Sequence, residues 1–566
     1  FIVEALDWLV IGVFFLALIG IIVWVVRQKQ NDSADYFLGG RDATWLAIGA
    51  SIFASNIGSE HLIGLAGAGA SSGMAMAHWE IQGWMILILG WVFVPFYTRS
   101  MVYTMPEFLE RRYNPQSRTI LSVISLVSYV LTKVAVTVYA GGLVFQQVFG
   151  IKELWGIDFF WIAAIGLVVL TALYTIFGGM KSVLYTSVLQ TPILLLGSLI
   201  ILVLGFKELG GWDEMMRVCG AVTVNDYGDT MTNLIRSNDD ANFPWLGALI
   251  GSAIIGFWYW CTDQFIVQRV LSGKNEMEAR RGTIFGAYLK LLPVFLFLIP
   301  GMIAFALHQK YIGAGGEGFL PMLENGTANA DAAFPTLVAK LLPAGVKGLV
   351  VCGILAALMS SLASLFNSSA MLFTIDFYKR FTPQTSEKKL VGIGQVATVV
   401  IVILGILWIP IMRSVGDVLY TYLQDVQSVL APGIAAAFLL GICWKRTSAQ
   451  GGMWGLISGM VIGLTRLGAK VYYSNAGEVA DSTFKYLFYD MNWLFFCGWM
   501  FLFCIIVVIV VSLATEAPTA EKIQGLVFGT ATKEQKASTR ASWNHWDIIH
   551  TVIILAITGA FYWYFW

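Results

Sequence analysis

Apolar residues occur along this chain in runs long enough to cross a lipid bilayer, separated by short polar segments. A helix needs roughly 20 apolar residues to cross a hydrocarbon core of about 30 Å. The pattern predicts about fourteen membrane-spanning helices, called spans one to fourteen in chain order. Their ranges are 5–26, 43–70, 78–98, 118–148, 156–179, 183–204, 244–270, 282–308, 346–378, 390–412, 417–441, 450–472, 490–513 and 546–566.

Composition supports the same class of protein. Of the 566 residues, 57% are hydrophobic and 12% are charged, whereas soluble domains carry about 25% charged residues. The lipid bilayer is therefore the predicted environment. The formal net charge is zero, which gives no indication of a nucleic-acid partner. Six scattered cysteines lack metal-binding spacing and are interpreted as packing residues.

Basic residues are concentrated in alternate loops, such as those holding Arg99, Arg111 and Lys274, whereas the opposite short loops hold little more than Lys152 and Arg413. Because positive charge gathers on the cytoplasmic side of membrane proteins, both chain ends are predicted to lie outside. Two polar loops, at about 205–243 and 309–345, then fall outside and are expected to cap the external entrance. The polar segment 516–545 is predicted to be a cytoplasmic linker.

Ionisable side chains inside the spans are few, and each is costly at bilayer depth, by about 2.5–3.5 kcal/mol even on insertion scales. By default such residues mark a pathway or a binding site; the alternative is ion pairs that only hold helices together. Amides and hydroxyls in the same spans favour one central cavity. The ionisable group is Glu60, His61, Glu80, Asp263, Lys290, Asp376 and Asp425, and its polar neighbours in sequence are Asn56, Gln82, Thr262, Gln264, Gln424 and Gln427.

Two of these spans contain signals of a helix break. Span two has Asn56-Ile57-Gly58-Ser59 at its middle, and span seven has Gly256 before "FWYWCTDQ". Glycine costs about 1 kcal/mol in a helix interior, and broken helices at corresponding positions of inverted repeats indicate a midplane transport site. Spans two to six and seven to eleven each hold five helices, and an odd-numbered repeat inserts its second copy upside down.

The predicted fold is therefore an all-α membrane protein with a five-plus-five inverted repeat and broken helices at the midplane. The predicted division of this single transmembrane domain is a first helix and cytoplasmic link at 1–42, repeats at 43–204 and 244–441, and additional helices at 450–566.

Enzyme chemistry fits the motifs poorly. Glu60 and His61 are adjacent, unlike the zinc-binding H-E-x-x-H pattern, and no nucleotide-binding glycine motif is present; the chain is not expected to be an enzyme. The stretch 356–369 carries hydroxyls at Ser360, Ser361, Ser364 and Ser368. Small residues let membrane helices approach closely, and hydroxyl oxygens also suit hard cations. The residues alone leave both interpretations open.

From about Tyr36 to the last span, the chain resembles the sodium/sugar cotransporters of the sodium:solute symporter family. The resemblance implies fourteen helices with a LeuT-like core, alternating access to one midplane sugar site, and sodium as the co-transported ion. It also implies a plasma membrane or bacterial inner membrane. The motifs that carry it are "DYFLGGR", "GASIFASNIGSEHLIGLAGAGA", "YTMPEFLERRY", "YTIFGG", "WYWCTDQFIVQR", "YLKLLP", "LMSSLASLFNSSAMLFTIDFYKR" and "APGIAAAFLLGICWKR".

The resemblance also implies roles for individual residues. Substrate contacts fall on His61, Glu80, Lys290 and Gln424, with Asn56, Tyr259 and Trp260 beside them. The external gate falls on Leu65, Trp79 and Tyr420, and the inner gate on Tyr259. The sodium site falls on backbone carbonyls of Ala54, Ile57 and Ala357 and on hydroxyls of Ser360 and Ser361.

Three departures from the family pattern limit what the resemblance implies. Relatives carry polar residues at two positions near the site where this chain has Gly256-Phe257 and Gly83. They also carry an acidic residue, linked to a further ion, where this chain has Ser187. The expected function is sodium-coupled import of a hexose-like sugar. Another solute such as myo-inositol, or a receptor or channel that binds sugar without pumping it, stays open, as does a second ion site.

Overall fold

The structure, a computed structural model, describes residues 4–28, 32–58, 60–322 and 326–566. Side chains within these ranges are not described at 60, 63, 130–132, 135, 136, 139, 140, 143, 147, 331, 408–426, 471, 474 and 475.

Within the described ranges, nine helical segments are long and apolar enough to cross a membrane, so the chain is a multi-pass membrane protein. The count of fourteen spans stays a prediction. These segments are Ala5–Arg27, Gly73–Ser100, Phe159–Leu209, Trp245–Thr262, Glu276–Gly313, Val346–Lys379, Glu387–Leu407, Trp493–Ala514 and His545–Tyr564.

The secondary structure is almost entirely helical. The α-helices are Ala5–Arg27, Ser33–Leu38, Trp45–Asn56, Ala66–Ser71, Ala77–Glu80, Gly83–Ile88, Val94–Ser100, Met105–Arg112, Pro115–Ser128, Ala135–Phe149, Phe159–Leu209, Trp212–Gly220, Trp245–Gly256, Gln264–Leu271, Glu276–Lys290, Ile299–Gly313, Ala333–Leu341, Val346–Phe373, Glu387–Cys443, Ala449–Asn475, Thr483–Lys485, Trp493–Ala514, Ala520–Ile523, Lys533–Ala541 and His545–Tyr564. The π-helical turns are Glu60–Leu65, Leu89–Phe93, Tyr129–Val134, Phe257–Thr262, Val294–Leu298, Thr374–Lys379 and Tyr486–Asp490, and the 3₁₀ turns are Gly39–Arg41, Gly73–Met76 and Ala330–Ala332. Two short antiparallel strands, Glu153–Leu154 and Ile157–Asp158, form a hairpin after span four. The second strand occupies the predicted start of span five, whose helix begins at Phe159.

The predicted break in span two is present. Its first helix, Trp45–Asn56, ends at Ile57, whose backbone is extended (φ −80°, ψ 116°). The chain becomes helical again at Glu60–Leu65 and continues as Ala66–Ser71. Because the last carbonyls of a helix lack intrahelical partners, this break leaves backbone oxygens available at the middle of the span.

The break in span seven lies seven residues later than its glycine suggested. Gly256 has helical angles (φ −64°, ψ −40°), and the extended residue is Asp263 (φ −83°, ψ 132°), between Phe257–Thr262 and Gln264–Leu271. The expectation that Gly256 interrupts the helix is therefore wrong. A Cβ atom at position 256 would lie 2.8 Å from Nε2 of Gln82, so the amide of Gln82 occupies the space that a larger residue would need.

The second half of span two crosses span eight at very short range. A Cβ atom on Gly301 would lie 2.0 Å from the carbonyl oxygen of Ala66, and one on Gly69 would lie 2.3 Å from that of Leu298. Small residues of this kind let membrane helices approach closely. The crossing places the residues that follow the break beside span eight, which also carries Lys290.

The predicted outer loop 205–243 folds back onto the start of span three. Its Met231 carbonyl accepts a hydrogen bond from the Met74 N–H (2.8 Å), and its Leu234 carbonyl lies 3.0 Å from Nε2 of His78. The other ring nitrogen of His78 lies 3.0 Å from the Tyr562 hydroxyl of the last span. These contacts fix the short helix Ala77–Glu80, which carries Trp79 and Glu80.

Candidate solute and cation sites

Three buried ionisable side chains meet where spans two, three and eight come together. Lys290 Nζ donates to Glu80 Oε2 at 2.8 Å, and His61 Nε2 lies 3.3 Å from the same oxygen. The three residues are between 3% and 9% exposed. An ammonium and an imidazole beside the Glu80 carboxylate offset part of the cost of burying it, whereas an isolated buried charge would be strongly unfavourable.

The break in span two sets the orientation of His61. In a continuous helix the Gly58 N–H would donate to the Ala54 carbonyl. Here it points to His61 Nδ1 instead, at 3.5 Å. His61 N–H in turn donates to the Gly58 carbonyl at 3.0 Å. The other ring nitrogen, Nε2, is turned toward Glu80, although it makes no hydrogen bond among the described residues. The interrupted backbone at Gly58 is therefore in contact with the imidazole of His61, a predicted solute-binding residue.

Tyr259 bridges the two broken spans. Its hydroxyl donates to Asn56 Oδ1 at 3.0 Å, and its ring packs edge-on against Trp260 with centroids 4.9 Å apart. Asn56 is the last residue of the first helix of span two, and Tyr259 lies in the π-helical turn of span seven. Asn56 Nδ2 is buried without a hydrogen-bond partner among the described residues, so the pair retains an unused donor.

Trp260 is fixed by a glutamine that the resemblance does not include. Gln82 Oε1 accepts from Trp260 Nε1 at 3.2 Å, and Gln82 Nε2 donates to the Ser252 carbonyl at 2.8 Å. Lys290 Nζ lies 5.2 Å from the Trp260 ring centroid. The indole therefore connects the polar cluster of Glu80, Lys290 and His61 to span seven, and the only sequence signal for Gln82 was its polarity within span three.

Oxygen atoms from span nine lie against the break in span two. A Cβ atom on Gly58 would be 3.2 Å from Ser361 Oγ, and the hydroxyls of Ser55 and Ser364 are hydrogen-bonded to each other. Ser360 and Ala357 are buried on the same helix, Val346–Phe373. Ala54 and Ile57 flank the end of Trp45–Asn56 and are also buried. Hydroxyl and carbonyl oxygens of this kind are the ligands that hard cations prefer.

The residues predicted for the external gate are only partly described. Leu65 is buried, and Trp79 stacks on Trp493 (5.6 Å between ring centroids) and packs edge-on against Phe243 at 5.8 Å. Span thirteen and the outer loop therefore supply aromatic partners that the sequence did not indicate. Tyr420 and Gln424 lie on the helix Glu387–Cys443, and their side chains are outside the described residues.

A second buried ion pair lies beside Tyr259, and sequence reasoning missed half of it. Lys133 Nζ donates to Asp263 Oδ2 at 3.0 Å, and the Tyr129 hydroxyl donates to Asp263 Oδ1. Lys133 Nζ also lies 5.2 Å from the Tyr259 ring centroid. Asp263 stood out in span seven, whereas Lys133 was overlooked, although it is the one basic residue in the apolar run 119–148. The pair ties span four to the break in span seven.

Comparison with known proteins agrees with this architecture. The family model described as "Sodium:solute symporter family" matches residues 36–459. Sodium/myo-inositol cotransporter 2 of Homo sapiens is 36% identical over 541 residues, covering 93% of this chain and 79% of that protein. Sodium/glucose cotransporter 4 of Danio rerio is 35% identical over 562 residues, covering 96% and 84%.

A solved structure shows the same fold. A Na⁺-coupled sialic acid symporter in a substrate-bound outward-open state superposes with a TM-score of 0.72 at 21% identity, covering 91% of this chain and 99% of that one. The predicted helical transporter fold and the resemblance drawn from the motifs are both confirmed. By its match to the family model and to these relatives, the chain belongs to the sodium:solute symporter family.

Proposed function

We propose that this member of a sodium-coupled family carries a hexose-like sugar and moves it inward by alternating access. The observation that carries the proposal is the buried cluster of Glu80, Lys290 and His61 beside the Trp260 indole. A pyranose has hydroxyls around its edge and an apolar face. Ammonium, imidazole and carboxylate groups pair with hydroxyls, and an indole packs on the apolar face.

The charges in this cluster favour a neutral solute over an anion. Lys290 already donates to Glu80 at 2.8 Å, so an anionic solute would meet no unpaired cation there. We assign substrate contacts to His61, Glu80, Lys290, Asn56, Tyr259 and Trp260, together with Gln424. We assign the external gate to Leu65, Trp79 and Tyr420, and the inner gate to Tyr259.

The sodium site belongs, in this proposal, to the carbonyls of Ala54, Ile57 and Ala357 and the hydroxyls of Ser360 and Ser361. The contact between Gly58 and Ser361 supports it, because oxygen donors from two spans converge there. An ion bound between spans two and nine favours the arrangement in which these donors are close. Such differential affinity is what couples one ligand to another.

Myo-inositol is the second candidate cargo, favoured by relatives named as sodium/myo-inositol cotransporters. Like a pyranose it is a neutral six-membered ring bearing hydroxyls, so the same cluster suits both. The test is uptake by proteoliposomes under an inward sodium gradient, across hexoses, inositols, sialic acid and amino acids. Accumulation of a hexose above equilibrium supports the main proposal, and accumulation of inositol alone supports the second. Binding without accumulation would contradict both and indicate a receptor or channel.

The repeat boundaries and membrane orientation belong to the same proposal. Residues 43–204 and 244–441 form the two inverted repeats, both chain ends lie outside, and the membrane is a plasma membrane or a bacterial inner membrane. The alternation of basic loops supports the orientation. A cysteine introduced near residue 4 should be labelled by an impermeant reagent in sealed cells, whereas one introduced in the loop at 275 should be labelled only after the cells are permeabilised.

Removing hydroxyls from span nine should weaken sodium dependence. We expect Ser361→Ala and Ser360→Ala each to raise the half-saturating sodium concentration at least five-fold, since each deletes one oxygen ligand. Sodium-independent sugar exchange should fall much less. The measurement is uptake against external sodium in both variants and in the double variant. Wild-type sodium dependence and accumulation ratio in all three would place the ion elsewhere.

A further inference from the structure

The hydroxyl of Ser360 has an unusual partner for a serine inside a helix. It donates to Oε1 of Gln190, which lies on the helix Phe159–Leu209 and is 1% exposed. Helical serines and threonines commonly donate to a carbonyl of their own preceding turn. Ser364 does so, to the Ser360 carbonyl at 2.9 Å, and Thr186 does so, to the Ser182 carbonyl at 2.6 Å.

The direction of this proton matters for binding a cation. A hydroxyl has one proton and two lone pairs, and it ligates a cation only through a lone pair. Gln190 Oε1 takes the proton of Ser360, so the lone pairs of Ser360 stay available. If the amide were turned around, its NH₂ group would occupy a lone pair and present positive charge to the same place.

The other end of the Gln190 amide fits the same orientation. The side chain of Gln190 interacts by hydrogen bonding with the Tyr174 hydroxyl. That hydroxyl donates its own proton to the Met359 carbonyl, so it can only accept from Gln190, through the NH₂ group. The amide therefore has its NH₂ group toward Tyr174 and its Oε1 toward Ser360.

Spans six and nine hold the two side chains in a fixed relation. A Cβ atom on Gly353 would lie 3.4 Å from Leu194 Cα, and one on Gly197 would lie 3.3 Å from Val350 Cα. The Tyr174 hydroxyl, on span five and separated from Gln190 by the non-helical Gly179, donates to the carbonyl of Met359 at 3.0 Å. Backbone contact on one side of Ser360 and a hydrogen bond beside it keep Gln190 Oε1 in place before an ion arrives.

We propose that Gln190 is a positioning residue for sodium, which accepts the Ser360 proton and thereby directs the Ser360 oxygen to the ion. The proposal rests on the sodium site proposed above. It adds a residue on span six to a site otherwise built from spans two and nine. Gln190 is predicted to act through Ser360 and to affect sodium affinity more than the maximal rate at saturating sodium.

The test compares three variants on one helix. Gln190→Leu removes the acceptor at similar volume, Gln190→Glu keeps it and adds negative charge, and Thr186→Val is the control one turn away. We expect Gln190→Leu to raise half-saturating sodium at least five-fold, both for uptake and for binding of radioactive sodium to purified protein without sugar. Gln190→Glu should bind sodium as well as wild type or better, and Thr186→Val should not change it.

A double-mutant cycle with Ser360→Ala separates positioning from general loss of structure, because residues that act as one unit are non-additive. Gln190→Leu should have little further effect once Ser360 is alanine. Additive effects, or wild-type sodium binding in Gln190→Leu while Ser360→Ala is impaired, would overturn the positioning role alone. If Gln190→Leu does not fold, impaired sodium binding by Gln190→Glu overturns it instead. Wild-type sodium binding in Ser360→Ala would overturn the proposed sodium site itself.

Discussion

Lys290→Ala is expected to lower the apparent sugar affinity about 10- to 150-fold, since a hydrogen bond to a charged group contributes roughly 1.5–3 kcal/mol. Its ammonium is buried, contacts Glu80 Oε2 at 2.8 Å and has further donors to offer a solute. The same change leaves the Glu80 carboxylate with His61 alone. Breaking a buried pair by removing one partner costs about 3–5 kcal/mol, so this variant should also lose thermal stability.

A charge-balanced variant separates the two effects. Glu80→Gln combined with Lys290→Met removes both charges at similar volume, and replacing a buried ion pair in this way is often neutral for stability. We expect the double variant to regain thermal stability while its sugar affinity stays at least as weak as that of Lys290→Ala. The measurements are the concentration giving half-maximal uptake and the melting temperature of purified protein. Wild-type affinity in the double variant would show that the solute binds elsewhere.

The helical class of the fold could be predicted from the sequence, because a bilayer requires spanning segments to be apolar and of a certain length. Apolar length predicted membrane-spanning helices, and the described residues contain nine helical segments long and apolar enough to be such. Polar residues with glycine predicted the break at Asn56–Gly58, where the structure ends a helix. The same reasoning failed at Gly256. A glycine in a span signals either freedom of the backbone or lack of space, and the amide of Gln82 fills the space there. Only the three-dimensional packing distinguishes the two.

The site was predictable in its residue types and less so in its connections. Glu80, His61 and Lys290 stood out as costly polar residues in apolar spans, and the structure places Lys290 Nζ 2.8 Å and His61 Nε2 3.3 Å from the same Glu80 oxygen. Lys133 was not predicted to be part of the site, because it is a single basic residue within a long apolar run. The partner of Ser360 on span six was also invisible, since pairs so far apart in sequence have no local pattern.

Tyr259→Ala should abolish most concentrative uptake and at the same time increase sodium-independent sugar efflux. The ring contacts Trp260 and Phe265, with centroids 4.9 and 6.0 Å away, and the hydroxyl closes onto Asn56. Tyr259→Phe keeps the ring and loses one hydrogen bond, worth about 0.5–1.5 kcal/mol, so it should retain a measurable part of the uptake. The two readouts are accumulation under a sodium gradient and efflux from sugar-loaded proteoliposomes without sodium.

The combination of lost accumulation and increased leak is specific to a gate. A misfolded variant would lose both fluxes, and a residue that only binds sugar would lower both. Tyr97→Phe is the matched control, because Tyr97 is buried in span three and donates its hydroxyl to the Cys261 carbonyl on span seven. It should leave efflux at the wild-type rate. If Tyr259→Ala accumulates sugar normally, or loses uptake without leaking, then Tyr259 does not separate the solute from the inner side, and the closure between Asn56 and span seven serves structure alone.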